Sequence, residues 1–161
     1  MTPIELDAID RRILAELQAD GRLTNVELAD RVGLSPSPCI RRLRRLERER
    51  VIEGYRATLD RAKLGLGLTV YVGVKVERHH DEEAAAFEDA VRALKEVISC
   101  HLVSGEADFL LQITVPDLAA YERLLLGALL KLPGVKDIRS SFAIRTVKSA
   151  APLPLDHLPA I

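Results

Sequence analysis

The segment from Thr24 to Arg48 constrains the fold most, because it contains two short amphipathic patterns separated by a glycine. Thr24 and Glu27 have the spacing of a capping box, in which each side chain bonds to the backbone amide of the other residue at a helix start. Gly33 follows the apolar residues of the first pattern, where a chain leaving a helix commonly needs a positive φ. The sequence therefore predicts a short helix beginning at Thr24 and a turn at Gly33.

The second pattern follows a serine-proline repeat at residues 35–38. Because a residue before proline is pushed away from α geometry, we expect Ser37 to cap this helix and Pro38 to take the first helical position. At about 100° per residue, the apolar side chains form one stripe and the arginines lie opposite it, with Arg42 nearest the border. The stripe consists of Cys39, Ile40, Leu43 and Leu46. One face of the helix is thus predicted to pack and the other to be cationic.

Arginine is concentrated in this second helix. Residues 36–50 contain six arginines and two glutamates, a local net charge of +4 in a chain whose formal net charge is −1. Two helices joined by a tight turn, the second of them basic, are typical of a helix-turn-helix, whose second helix enters the DNA major groove. Arginine binds phosphate or guanine bidentately, and a helix N-terminus favours a phosphate. The candidate DNA-binding residues are Ser35, Pro36, Ser37, Pro38, Arg41, Arg42, Arg44, Arg45 and Arg48. A merely solvated charged face is the alternative.

The flanking segments complete an N-terminal domain at residues 1–59. Apolar residues from Leu6 to Leu17 recur at helical spacing before Asp20-Gly21, which predicts a preceding helix. Short apolar pieces at 51–55 and 57–59 surround Glu53-Gly54 and predict a small wing hairpin. Charges and glycines at residues 60–67 indicate a linker.

Residues 68–149 alternate strand and helix patterns in the order βαββαβ. Valines alternate with other residues at 69–76, and further strands are predicted at 97–104, 109–115 and 135–147, the last of them long. Helical spacing at 84–94 and 118–129 supplies the two helices. The predicted class is therefore α+β, a winged helix-turn-helix followed by a ferredoxin-like domain. Residues 150–161, with three prolines and no periodicity, are predicted to form an extended arm that packs on a neighbour or stays mobile.

Both faces of the predicted sheet carry apolar residues. Leu110 and Val103 lie on the opposite side of their strands from Phe109 and Leu102. Two helices cover one face, so we expect a partner subunit to cover the other and the protein to be at least a dimer.

Other function classes find little support in the sequence. No apolar run is long enough to span a membrane and no signal peptide is visible, so we expect a cytoplasmic protein. Cys39 and Cys100 fit ordinary buried thiols. His79-His80 and the acids after them fit a helix start capped by Asp81 better than a metal site. With no phosphate-binding loop and no catalytic set, we expect no enzyme activity, no metal and no cofactor.

Five stretches of the chain carry a family resemblance. The sequence resembles the leucine-responsive regulatory protein and asparagine regulator (Lrp/AsnC) family of prokaryotic transcription factors. The resemblance lies in residues 6–14, 32–39, 41–43, 51–55 and 105–111. It implies a winged helix-turn-helix joined to an amino-acid-sensing ferredoxin-like domain, in dimers that assemble into octamers and wrap or bend DNA.

The resemblance also implies an effector site where sensing domains of neighbouring dimers meet, near the loop at residues 104–108. A free amino acid needs an acceptor for its ammonium and donors for its carboxylate, which acidic side chains and loop amides can supply. The candidate effector-binding residues are Ser104, Gly105, Glu106, Ala107 and Asp108, with Arg139, Ser140 and Ser141 as further candidates on the last strand. The alternative interpretation gives Gly105 and Asp108 turn-forming roles only.

Two functions remain open at this point. The first is a DNA-binding transcriptional regulator whose activity is modulated by an amino acid or related metabolite bound between sensing domains. The second is a small-molecule-binding regulatory module whose basic helix contacts a protein instead of DNA. A steep fall of DNA affinity with salt would distinguish the first from the second.

Overall fold

The computed structural model describes residues 4–77, 81–149 and 151–159, and the side chains of 81–84 are outside that description. By its internal contacts the chain divides into two compact units. Unit 1 is Met1–Thr58 with Lys148–Ile161, and unit 2 is Leu59–Val147. The arm therefore groups with the N-terminal helices, and residues 59–67 group with the sheet.

Unit 1 contains three helices, α1 (Ala8–Ala19), α2 (Asn25–Val32) and α3 (Pro36–Arg48). Thr24 and Glu27 form the predicted capping box at the start of α2. Gly33 ends α2 in the left-handed region at φ 72°, which confirms the predicted turn. A second capping box, formed by Asp7 and Asp10, starts α1. Helix starts of this kind satisfy backbone amides that would otherwise lack a partner.

The three helices of unit 1 enclose a small apolar core. The predicted stripe of α3 faces that core through Cys39 and Leu46, and Leu43 packs at its edge. Cys39 is a free thiol whose pKa is raised by burial. The buried apolar residues are Ile13, Leu28, Ala29, Val32, Cys39 and Leu46. α3 is thus fixed by one face, and the opposite face is left for other contacts.

The predicted start of α3 was wrong by two residues. The N-cap is Ser35, whose side chain makes no capping hydrogen bond, and Pro36 is the first helical residue. The first helical hydrogen bond runs from the Cys39 amide to the Ser35 carbonyl. Because the first amides of a helix have no partner within it, both prolines fit in the first turn without losing a bond. Ser37 is therefore helical, and its position before Pro38 does not prevent this.

The predicted wing hairpin is not formed within residues 51–60, all of which the structure describes. No hydrogen bond in this stretch joins the two apolar pieces. The amides of Val51 and Ile52 instead donate to the Leu46 carbonyl at the end of α3, and both side chains pack against the core. A two-stranded hairpin is marginal by itself, and residues 53–60 are exposed. The wing is an extended segment here.

Unit 2 has the predicted order βαββαβ. Its elements are β1 (Leu68–Val76), α4 (Asp81–Arg92), β2 (Val97–Leu102), β3 (Phe109–Val115), α5 (Leu118–Gly127), a short 3-10 turn (Leu129–Lys131) and β4 (Val135–Phe142). The strands form one sheet in the order β2-β3-β1-β4, and all three pairings are antiparallel. β4 ends five residues earlier than predicted. Its last partner bond joins the Ala143 amide to Thr69, next to the start of β1, so a longer strand would have nothing to pair with.

One face of the sheet carries the core of unit 2. Val70, Val72 and Val74 of β1 are buried on that face, together with Phe109 and Leu111 of β3. The opposite face, here called the open face, carries Tyr71 and Leu110, which are 42% and 39% exposed. The alternation of β1 and β3 thus separates a covered face from an apolar open face.

Residues 151–159 lie along α1 within unit 1. The Gln18 side chain bonds to the backbone of Leu153, and the Arg11 guanidinium bonds to Asp156 and to the Leu158 carbonyl. Gln18 follows Arg11 by seven residues, so both lie on one side of α1. The arm is thus held at two points two turns apart.

The remaining predictions concern membrane helices, metal sites and cysteines, and some of their residues lie outside the described ranges. Within the described ranges, no helix is long and apolar enough to cross a membrane, and no three metal-binding side chains cluster. The described residues exclude His79 and His80. They also exclude the Asp81 side chain, which was predicted to cap the helix. Cys100 is a free thiol in β2, as predicted, but it is half-buried and not fully buried.

Candidate functional site

Three arginines form the outward face of α3. Arg41, Arg44 and Arg48 are exposed, and none of them makes a hydrogen bond or ion pair with any residue that the structure describes. At about 100° per residue they lie roughly 140–200° around the helix from Cys39, opposite the buried stripe. Ser35, Pro36 and Ser37 at the start of α3 are exposed as well, and Pro38 is half-buried. This outward face presents three unpaired positive charges along α3, with the exposed helix N-terminus at one end, and both features favour phosphate.

The other two predicted arginines are paired within the chain. Arg42 donates to Asp7 at 2.6 Å and to Asp10 at 3.0 Å, and Arg45 donates to Asp10 at 2.5 Å. Both acids lie at the start of α1, and the Asp10 side chain is 1% exposed. Arg42 and Arg45 are only partly exposed. The arginine face is therefore divided into an outward face and a flank that is bound to α1.

The ion pairs of this flank shift the pKa values of Asp7 and Arg42. Burial acts to raise the pKa of Asp7, but hydrogen bonds from the Asp10 amide and the Arg42 guanidinium outweigh it, so the pKa lies below the ordinary value of 3.8. The hydrogen bond to Asp7 is the main cause of a raised pKa at Arg42. Asp7 and Arg42 are thus firmly charged at neutral pH. Neither acid was predicted from the sequence to pair with an arginine.

The end of α3 carries a further contact that was not anticipated. The Tyr55 hydroxyl donates to the Glu47 carboxylate at 3.1 Å. Burial and this anionic partner raise the pKa of Tyr55 to about 12. The bond attaches the extended segment after α3 to the helix itself. Tyr55 is therefore held by a side-chain bond to α3 and not by pairing with a second wing strand.

In unit 2 the loop between β2 and β3 is built around Asp108. The Asp108 carboxylate accepts the Val76 amide at 3.0 Å, its own amide donates to Val74, and its carbonyl accepts the Val103 amide. Gly105 has φ 119°, a conformation that favours glycine. These bonds favour the structural interpretation of Asp108 and Gly105, in which they shape the loop at the end of β1.

Glu106 and Arg139 meet at the exposed side of this loop. The Arg139 guanidinium donates to Glu106 at 2.5 Å and also lies 3.5 Å from Asp137. Arg139 pairs with Gly73 in the sheet, and a Cβ at Gly73 would lie 3.2 Å from the Ala107 side chain. An exposed carboxylate beside an exposed guanidinium offers one group each for the ammonium and the carboxylate of an amino acid.

The three candidates on β4 do not share a face. Arg139 and Ser141 alternate with Ser140, whose hydroxyl lies 2.5 Å from the Tyr121 hydroxyl under α5. Tyr121 is buried and also packs edge-on against Phe142. Ser140 therefore belongs to the covered face, on the opposite side of the sheet from Arg139 and Ser141. Ser104 is exposed in the loop.

Two protein families match this chain, one in each of its two predicted domains. Residues 6–53 match the winged helix-turn-helix DNA-binding family, and residues 69–153 match the Lrp/AsnC ligand binding domain family. Together with the basic outward face of α3, these matches define a DNA-binding transcriptional regulator with a ligand-binding domain, not an enzyme. Two curated relatives, the leucine-responsive regulatory proteins of Klebsiella pneumoniae and Escherichia coli (strain K12), are each 49% identical over 91% of this chain and 89% of their own length. The chain belongs to the Lrp/AsnC family of transcriptional regulators, whose second domain binds amino acids.

Solved structures agree with this assignment. A transcriptional regulator of Neisseria meningitidis, solved in complex with L-methionine, is 42% identical and superposes with a TM-score of 0.90 over 94% of this chain and 98% of that one. An AsnC family transcriptional regulator of Agrobacterium tumefaciens is 37% identical, with a TM-score of 0.90 over 94% and 99% of the two chains. The fold described above is thus the fold of this family.

Proposed function

We propose that this regulator reads DNA through the outward face and the N-terminal turn of α3. The observation that carries the proposal is the unpaired and exposed state of Arg41, Arg44 and Arg48, opposite a buried stripe that fixes the helix. Ser35 and Ser37 offer hydroxyl groups at the helix N-terminus, where backbone amides also favour a phosphate. Pro36 and Pro38 fix the chain conformation there. Arg42 and Arg45 lie at the edge of this surface.

The test is the salt dependence of duplex binding. The wild-type protein selects binding sites from a random-sequence duplex pool, and its affinity for the selected site is then measured across salt concentrations. We expect R41Q, R44Q and R48Q each to lower the slope of log affinity against log salt by about 1 per bound helix. R123Q removes an exposed arginine of α5 and is the matched control, with an unchanged slope expected. Absence of salt-dependent DNA binding by the wild-type protein would refute the proposal.

We propose further that the effector is a free amino acid that binds at the loop of residues 104–108. Support comes from the exposed Glu106–Arg139 pair and from the L-methionine complex of the Neisseria relative. Glu106 would accept the ammonium group, and Arg139 and the loop amides would bind the carboxylate, with Ala107 and Ser141 nearby. An effector can change DNA affinity only if it prefers one of the regulator's states.

Calorimetry with each of the twenty amino acids tests the effector proposal. We expect one or a few to bind, and E106Q and R139Q to weaken that binding by about tenfold or more, since each removes a charge-assisted bond. S140A alters the covered face and is the control that leaves binding intact. Unchanged binding in both E106Q and R139Q would place the effector elsewhere.

The proposed assembly is a homodimer that associates further into an octamer. The apolar open face, with Tyr71 and Leu110 partly exposed, supports a partner subunit at this position. Paired subunits would present two copies of α3 to two half-sites of DNA. The proposed place of action is the cytoplasm, where duplex DNA of a prokaryotic chromosome lies. Light scattering measures the assembly size with and without effector.

A further inference from the structure

The Asp10 carboxylate is enclosed between α1 and α3. Its side chain is 1% exposed, and each of its oxygens accepts one guanidinium group. Oδ1 accepts Arg42 at 3.0 Å, and Oδ2 accepts Arg45 at 2.5 Å. Oδ2 also accepts the Asp7 amide at 3.2 Å, which completes the capping box of α1. One buried acid therefore joins the start of α1 to two successive turns of the DNA-reading helix.

The position of these arginines on α3 explains why they are the two that pair. Arg42 and Arg45 are three residues apart and lie on one flank of the helix, between the buried stripe and the outward face. Asp7 and Asp10 have the same three-residue spacing and lie on one side of the first turn of α1. The two pairs match in spacing and are opposite in charge.

Burial determines how firmly these arginines are held. The Nε of Arg45 is buried and its guanidinium bonds to Asp10, so this group lies inward, although Nε itself has no hydrogen-bond partner among the described residues. If either guanidinium moved to a phosphate, the buried Asp10 carboxylate would lose one of its two positively charged partners and one of its oxygens would lose its guanidinium bond, which is unfavourable. Arg41, Arg44 and Arg48 pay no such cost, because no described residue pairs with them. DNA therefore competes poorly for Arg42 and Arg45.

We infer that Asp10 is a positioning residue for DNA recognition, which fixes the orientation of α3 and withholds Arg42 and Arg45 from DNA. The inference rests on the proposed function of α3 and narrows it, because only Arg41, Arg44 and Arg48 remain to contact phosphates or bases. Arg42 and Arg45 act through the angle at which α1 holds α3. Sequence preference thus depends on a residue that lies outside the helix-turn-helix.

The salt dependence of binding to a random-sequence duplex of about three helical turns separates contact from positioning. A contacting arginine lowers the slope by about 1 per bound helix when it is replaced, and a positioning arginine does not. We expect R42Q and R45Q to keep the wild-type slope while weakening the preference for the selected site. R41Q and R44Q are the matched contacts, with a lowered slope expected. A slope lowered in R42Q and R45Q as much as in R41Q overturns the inference.

Asp10→Asn tests the inference from the other side, because it frees an arginine instead of removing one. The asparagine side chain has one acceptor oxygen and no charge, so Arg45, whose one partner among the described residues is Asp10, is released to the surface, whereas Arg42 keeps its bond to Asp7. We expect the slope of D10N to rise by about 1 per bound helix, and the ratio of specific to random-duplex affinity to fall at least tenfold. The double variant D10N/R45Q should return to the wild-type slope, which a purely structural role of Asp10 would not produce.

Folding and the proposed function are checked separately. Circular dichroism establishes which variants are folded, and a folded D10N with an unchanged slope contradicts the inference. If D10N does not fold, R42Q and R45Q still decide the question, because their side chains are partly exposed. If the wild-type protein shows no salt-dependent DNA binding, the proposed function has failed instead. The two failures are therefore distinguishable.

Discussion

Gln18 and Leu153 bond to each other twice. The Gln18 amide group donates to the Leu153 carbonyl at 3.2 Å, and its side-chain oxygen accepts the Leu153 backbone amide at 2.6 Å. The glutamine side chain thus bonds to both backbone polar groups of one residue, as a neighbouring residue does in an antiparallel sheet. Residues 151–159 are thereby attached to α1 although no secondary structure holds them.

The first prediction concerns this attachment. Gln18→Ala removes both bonds, and we expect a loss of about 0.5–2 kcal/mol in the free energy of unfolding of unit 1, since the pair is exposed. Urea denaturation followed by circular dichroism measures the loss. The matched control is the same substitution in a chain that ends at residue 150, where the effect should vanish. An equal loss in both chains would show that Gln18 stabilises α1 without the arm.

The second prediction concerns the turn of the helix-turn-helix. Gly33 has φ 72°, and no described atom beyond the two adjacent residues lies within 4 Å of the position that a Cβ would take, so Gly33→Ala is opposed by backbone strain alone. We expect a loss of about 1 kcal/mol in thermal or denaturant unfolding. Gly127→Ala is the control, because its backbone is helical and its surroundings are equally open. A neutral G33A would contradict the left-handed turn.

The third prediction follows from the Tyr55–Glu47 bond. Because the pKa of Tyr55 is raised from 10.0 to about 12, the folded state favours the neutral phenol. The bond therefore contributes stability that is fully present below pH 10 and is lost as the pH rises through about 12. Difference absorbance between the wild-type protein and Y55F reports the titration of this one tyrosine. In E47Q we expect Tyr55 to titrate at lower pH, and an unshifted titration would refute the contact.

The fourth prediction concerns the open face of the sheet. Leu110→Glu places a charge among side chains that are proposed to pack on a second subunit, where an unpaired buried charge is costly. We expect the protein to dissociate to monomers or to smaller assemblies in sedimentation velocity. Val26→Glu changes an exposed valine of α2 and should leave the assembly unchanged. A wild-type assembly size in L110E would remove the open face as the interface.

Local signals in the sequence predicted most of the fold. The capping box of Thr24 and Glu27, the glycine after α2 and the valine alternation of β1 each depend on residues a few positions apart. For the same reason the βαββαβ order was readable, since each element has its own periodicity. The errors arose where contacts with a segment distant from the local pattern determine the structure. β4 ends beside the start of β1, and residues 51–55 bond to α3 instead of forming a hairpin.

The candidate site was predicted less completely, because its key pairs are distant in sequence. Arg42 and Arg45 are separated from Asp10 by 32 and 35 residues, and no local pattern links them. A hint was present, since Arg42 lies at the border of the predicted face and two acids stand three residues apart at the start of α1. The face of Ser140 was readable from alternation, which places it opposite Arg139 and Ser141. The side chains that select an effector depend on the assembly of subunits and have no local signature.

The attachment of residues 151–159 to α1 also has a consequence for how the protein is made. Unit 1 is discontinuous in the sequence, since residues 59–147 separate the helices from the segment that docks on them. A ribosome releases α1 first, and the partners of Arg11 and Gln18 emerge only after the whole of unit 2 has been synthesised. During translation the helices of unit 1 thus lack the arm's support. They gain it when the ligand-binding half of the same chain is complete, so a truncated product carries a weakened DNA-binding unit.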